Sequence, residues 1–282
     1  MSPLAAAPVD PNAWPLVLLC ALVLAAVLAA LLAPAWRERR RARLRAQPFP
    51  PAWRRILRQR VPLVARLPAD LQRQLKGHIQ VLLAEKPFIG CQGQAITDEV
   101  RVTVAAQAAL LLLGQRRPGY YPALRQVLVY PAAFVVDRVQ PQGAGLARAE
   151  RRVLQGESWQ QGQVILSWPD VLAGAADPAD GQNVVLHEFA HQIDQDKGQA
   201  DGRPWRATAA ERAHWDRVMG DTFAQLQHTP CPLLGDYAAS DPAELLAVAT
   251  ERFFEQPAAL AAQWPAVYNA LAGFYRVHPL VW

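Results

Sequence analysis

His187-Glu188-Phe189-Ala190-His191 is the stretch of this chain whose residue types and spacing could do chemistry. On a helix, two histidines four residues apart project about 40° from one another, so their ring nitrogens can reach one ion. The glutamate beside the first histidine points next to the same spot, where it can hold a water and take its proton. That is the HExxH arrangement of zinc hydrolases. The pattern alone is weak, since five residues of this kind arise by chance in any helix. A catalytic zinc also needs a third protein ligand and an open position for water.

The elements that must position the motif are legible around it. Asn183 to Ile193 reads as a helix packed by Val184, Val185, Leu186, Phe189, Ala190 and Ile193. A helix this apolar is buried, so His187, Glu188 and His191 need partners inside the protein, and a shared metal supplies them. Asp194 lies seven residues after His187, about two turns on and on the same face. It is expected to orient a ligand histidine from behind. The metzincin pattern HExxHxxGxxH is excluded, because Asp194 and Lys197 stand where its glycine and third histidine would be. The third ligand must come from another element. The best stretch is 236–254, a helix with Asp241 as N-cap and Pro242 in its first turn. Two acids compete there. Glu244 falls where a capping-box carboxylate would close on Asp241, and Glu251 lies seven residues later on roughly the same face. Composition leaves that choice open.

Several further motifs stand in register with these. They are Gly156-Glu157-Ser158-Trp159, Val164 to Trp168, Gly198, Asp201-Gly202, Pro204, the run from Asp236 to Glu244, Ala247-Val248, Glu251, Phe253-Phe254 and Pro257. Together with His187 to His191 and Asp194 they resemble the Mlc titration factor A (MtfA) family of zinc peptidases, whose catalytic core is similar to that of anthrax lethal factor. The resemblance implies an α+β, zincin-like metallopeptidase domain with a small sheet. It implies His187, His191 and Glu244 as ligands of one Zn²⁺, Glu188 as general base, and Tyr237 as a tyrosine facing the metal. Glu251 then either falls behind the ligands or packs the helix. Contact with an Mlc-like repressor is a further implication.

Elsewhere the chain supplies a body and an anchor. Residues 1–13 read as a disordered tail. From Leu16 to Ala33 every residue is Leu, Val, Ala or Cys, with Trp14 and Trp36 near the ends. That length is about enough to span a bilayer, so residues 14–36 are expected to form a transmembrane helix. Residues 37–52 read as a basic juxtamembrane segment and linker, and 53–282 as the metallopeptidase domain. A cleavable leader carries its charge before the apolar run, whereas here Arg37 to Arg45 follow it. The positive-inside rule then keeps the arginines and the body cytoplasmic and the N-terminus outside, at the cell inner membrane. The Trp53-Arg54-Arg55-Ile56-Leu57 stretch could lie on the membrane surface or be a solvated face.

Helices are expected over Leu71 to Lys86 and, capped by Thr97 or Asp98, over Glu99 to Leu113. Strands are expected at Gln126 to Tyr130 and Gln163 to Trp168. The second of these, just before the HExxH helix, is expected either at the edge of the cleft, where an extended peptide could pair, or in the core. Phe134 to Trp159 between them reads as a loop or a weak hairpin. His78, His214, His228 and His278 read as structural or surface residues.

The basic pI of about 9.4 is local. Residues 37–66 hold eleven arginines and one acid, whereas 67–282 hold 18 basic and 22 acidic groups. The acidic body argues against direct nucleic-acid binding. Three cysteines without a CxxC spacing provide neither a disulfide framework nor a thiolate metal site. The expectation is a membrane-anchored zinc peptidase acting on a peptide or protein substrate. The rival reading is a regulatory module that sequesters an Mlc-like repressor at the membrane.

Overall fold

A computed structural model describes residues 14–282 apart from 116–117, 133, 143–145, 155, 160–161 and 206–207. The expected N-terminal tail lies outside the described residues. The chain divides into two units, Met1–Gln47 and Pro48–Trp282.

Among the described residues the first unit is one helix, α1 (Trp14–Ala46), none of whose residues is buried. Its apolar part is long enough to cross a bilayer. The helix does not stop where the arginines begin. It carries them through Arg45, where Arg45 pairs with Glu38 at 2.6 Å, so the basic segment is helical and the break falls at residues 47–50.

The second unit has an α+β architecture. It opens with α2 (Pro51–Arg60), α3 (Leu63–Arg66) and α4 (Ala69–Glu85). The apolar side of α2 turns inward: Leu57 is buried, and Trp53 Nε1 donates to Asp98 Oδ2 at 2.9 Å. Strand β1 (Phe88–Gly90) follows, then α5 (Asp98–Leu110). Thr97 caps α5 by accepting from the Val100 N–H. The helix is Ala- and Val-rich with ten residues buried, so neighbours cover it on most sides.

The sheet has four strands in the order β1, β2 (Gln126–Tyr130), β6 (Gln163–Ser167) and β5 (Gly156–Trp159). The first three run parallel, with Phe88 opposite Val127 and Val127 opposite Val164. Strand β5 is antiparallel, with Gly156 opposite Leu166. Phe134–Gln142 (β3) and Leu146–Leu154 (β4) form a separate antiparallel hairpin. The β6 segment is therefore a core strand and not the cleft edge. Val164, Ile165, Leu166 and Ser167 are all buried, as expected when both faces are covered. The sheet's edges are β1 and β5, and β5 is the one beside β6. Trp168 leaves the strand and opens α6 (Trp168–Ala176), with Pro169 in its first turn.

The remaining elements are α7 (Val184–Asp194), α8 (Ala209–Leu226), α9 (Pro242–Glu255), α10 (Pro257–Gln263) and α11 (Pro265–Tyr275). Helix α7 packs on α9 and on β5 and β6. Phe253 of α9 stacks on Tyr275 of α11 and Phe254 meets it edge-on, at 5.7 and 5.2 Å between ring centroids. This aromatic cluster fixes α9 from behind.

Candidate metal centre

Asn183 begins the site. Its side chain accepts from the Leu186 N–H at 3.0 Å, an N-cap that sets the first turn of α7. Val185, Leu186, Phe189 and Ala190 are buried, which fixes the rotation of the helix. His187 and His191 then lie toward α9, one and two turns after the cap.

Helix α9 starts as its sequence suggests, with the Asp241 carboxylate accepting from Ala243 N–H at 2.8 Å and Pro242 in the first turn. Glu244 does not close a capping box. Its Oε2 lies 3.0 Å from His187 Nε2 and 3.3 Å from His191 Nε2. The two imidazole Nε2 atoms are 3.2 Å apart. One ligand atom from each of the three residues lies within 4.8 Å of the others.

Glu251 stands on the other side of the His187 ring. His187 Nδ1 donates to its Oε1 at 2.8 Å, while its Oε2 accepts from the Asn183 N–H at 2.6 Å. One carboxylate thus holds both a ring and the start of the helix that carries it. The Tyr237 ring stacks on His187, with centroids 5.8 Å apart and planes 27° off parallel. It is half exposed. Glu188 is buried, 5% exposed, on the turn between the two histidines.

Electrostatics agree with the geometry. Burial acts to lower the His187 pKa, but its contacts with Glu244 and Glu251 override it and hold the ring well above the ordinary histidine value. Burial pushes Glu244 up, yet the two histidines more than reverse this and hold it below the ordinary carboxylate range. Each group thus favours the charge that a neighbour stabilises.

The donor set fits a metal. Two imidazole nitrogens and one carboxylate oxygen are the residue types of a catalytic hydrolase centre, with three protein ligands and room for more. With the His187 Nδ1–H committed to Glu251, the neutral ring would turn its Nε2 lone pair on the other two acceptors. Three acceptors converging at this distance repel unless a proton or a cation lies among them.

Asp194 departs from its expected place. It is buried, and its carboxylate accepts from the Gly202 N–H at 2.6 Å rather than from a ligand histidine. Sequence reasoning missed Glu255, whose Oε1 accepts from Asn183 Nδ2 at 2.8 Å. It also missed Asn183, although an Asn just before an apolar helical run is itself a cap signal. His78 is structural as expected, with its Nδ1 2.8 Å from the Tyr120 hydroxyl. His214, His228 and His278 lie on the surface.

Comparison with known proteins agrees with this picture. A family profile described as glucose-regulated metallo-peptidase M90 matches residues 35–276. The chain is 33% identical over 239 residues to the Mlc titration factor A of Yersinia enterocolitica, covering 81% of this chain and 86% of that one. It is 33% identical over 229 residues to the Mlc titration factor A of Salmonella agona, covering 78% and 84%. An uncharacterised protein of Synechocystis sp. is 34% identical over 272 residues, 95% of this chain and 98% of its own length.

Proposed function

The chain belongs to the glucose-regulated M90 metallopeptidase family, that of the Mlc titration factors A, and on that footing we propose that it is a membrane-tethered zinc peptidase. The observation that carries this reading is the convergence of His187, His191 and Glu244 beside a buried Glu188. His187, His191 and Glu244 would hold the zinc. An ion bound there supplies Lewis acidity and brings the pKa of water down to roughly 7.

The protein groups divide the remaining work. Glu188 takes the proton of the attacking water and returns it to the leaving amine. Tyr237, whose ring packs on His187, donates its hydroxyl hydrogen to the oxyanion of the scissile carbonyl in this reading. Glu251 fixes the His187 ring and its tautomer through Nδ1.

The tether is α1. Its arginines follow the apolar run, and the positive-inside rule favours a second unit on the cytoplasmic side of the inner membrane with the N-terminus outside. The Synechocystis relative supports a shared tether. Its alignment leaves only 5% of this chain uncovered, far less than the 33 residues of α1. The names of the enterobacterial relatives favour a second reading, in which the same domain binds an Mlc-like repressor at the membrane.

The test compares wild type with Glu188→Gln on a peptide panel and measures zinc content in both. Zinc is expected to stay and cleavage to vanish. Equal cleavage by the two proteins rejects the peptidase reading, and repressor binding without cleavage by either favours the second.

A further inference from the structure

Asp194 is the last residue of α7, three residues after His191. It is 2% exposed, an expensive place for a carboxylate unless something holds it. What holds it is the backbone of a loop, through the Gly202 N–H at 2.6 Å.

Gly202 is pinned from two further directions. Its carbonyl accepts from Trp215 Nε1 of α8 at 2.8 Å, and Trp215 is buried. Its α-carbon also lies against the backbone of Pro242. A β-carbon added at Gly202 would fall 2.4 Å from the Pro242 carbonyl oxygen, and the residue adopts a φ of +74°. Only glycine allows both that approach and that backbone conformation without strain. Pro242 is the first residue of α9, two before Glu244.

A continuous line of contacts therefore runs from the end of the helix carrying both histidines, through Asp194 and Gly202, to the start of the helix carrying Glu244. Aromatic packing holds α9 at its far end. Asp194 and Gly202 bear on the end where the carboxylate must reach the histidines. Zinc–ligand bonds are about 2.0–2.2 Å for nitrogen and carboxylate oxygen, so a shift of a few tenths of an ångström in α9 is felt at the ion.

We propose that Asp194 is a positioning residue for the metal centre, which sets the place of Glu244 by holding the Gly202 backbone against Pro242. This deepens the zinc-centre reading above and rests on it. Asp194 acts here as a hydrogen-bond acceptor of fixed length, and its effect on the ion passes through Glu244.

The experiment measures zinc affinity of the full-length protein in detergent by competition with a chelator. Asp194→Ala is expected to weaken zinc about 10–100-fold, the usual cost of losing an outer partner. Asp194→Asn keeps an acceptor of the same length and should stay much closer to wild type. Asp194→Glu keeps the charge but displaces Gly202 and should lose affinity, which also serves if the Ala variant does not fold. In a Glu244→Gln background the loss from Asp194→Ala should disappear.

An undiminished loss in that background overturns the proposal. So does an Asn variant as weak as the Ala variant, since the residue would then act by charge. Wild-type affinity in folded Asp194→Ala or Asp194→Glu overturns it as well. A wild type that binds zinc but cleaves no peptide defeats the peptidase reading and leaves this one standing. A wild type that binds no zinc defeats both.

Discussion

Glu244 and Glu251 take the same imidazole from its two nitrogens, at 3.0 Å on Nε2 and 2.8 Å on Nδ1 of His187. They lie seven residues apart on α9, two turns along one face. The spacing that left them indistinguishable in the sequence is what allows them to bracket one ring. Their jobs differ because only Glu244 also reaches His191.

That difference predicts an order of metal affinity. Glu244→Gln removes a proposed ligand and should weaken zinc the most, down to the weak site of the two histidines that chelator competition still reads. Glu251→Gln leaves three ligands and should weaken zinc about 10–100-fold. Zinc competition on the two variants checks the order, and the reverse order overturns the assignment of Glu244.

The oxyanion role proposed for Tyr237 predicts an effect on the transition state and not on the ground state. Tyr237→Phe should keep zinc and the fold but lower kcat by about 10²–10³, the range found for loss of one oxyanion donor. A KM change with unaltered kcat would instead make it a substrate-binding residue.

Zinc binding should release a proton. In the metal-free protein the two acids keep His187 protonated above its ordinary range, against the opposing effect of burial. The ion needs the neutral ring, so zinc affinity should fall as pH decreases. Calorimetry in buffers of different ionisation enthalpy reads the proton directly. No buffer dependence at pH 7 contradicts the pairing.

Glu255 should make the metal-free protein less stable in alkali. Burial pushes its carboxyl up to about 8, only partly offset by the hydrogen bond from Asn183. The folded value lies above the ordinary one, so this group's stabilising contribution is complete below about 4.5 and is lost as pH rises through about 8. Glu255→Gln keeps the shape and removes the titration. The Tm of the variant relative to wild type should therefore rise between pH 6 and pH 9.

The α1 helix predicts how the protein fractionates. The full chain should pellet with membranes, resist salt and alkaline carbonate, and dissolve in detergent. Removing residues 1–47 should release the remainder. Protease added to right-side-out vesicles should spare the second unit, and digestion of that unit there reverses the orientation.

Legibility followed the range of each interaction. The α7 motif, the Asp241-Pro242 cap of α9 and the strand at Gln126 to Tyr130 are local, and periodicity with cap chemistry found them. The edge strand β5 is four residues long and depends on its antiparallel pairing with β6, which no local pattern announces. The three-residue β1 escaped for the same reason. Asp194 shows why a helical face is only half an address. Spacing put it on the right side of α7, but the loop glycine that reaches it comes from outside the helix. Glu255 was silent because its partner, Asn183, is 72 residues away.

The distance along the chain between α7 and α9 also bears on biosynthesis. His187 and Glu244 are 57 residues apart, and at about 5–20 residues per second the ribosome adds that length in roughly 3–11 s. A nascent chain presents both histidines during that interval but has no third ligand. On the proposed peptidase reading, cleaving power is withheld until α9 has been made and has docked, so the newborn polypeptide is spared its own chemistry while its loops are still open.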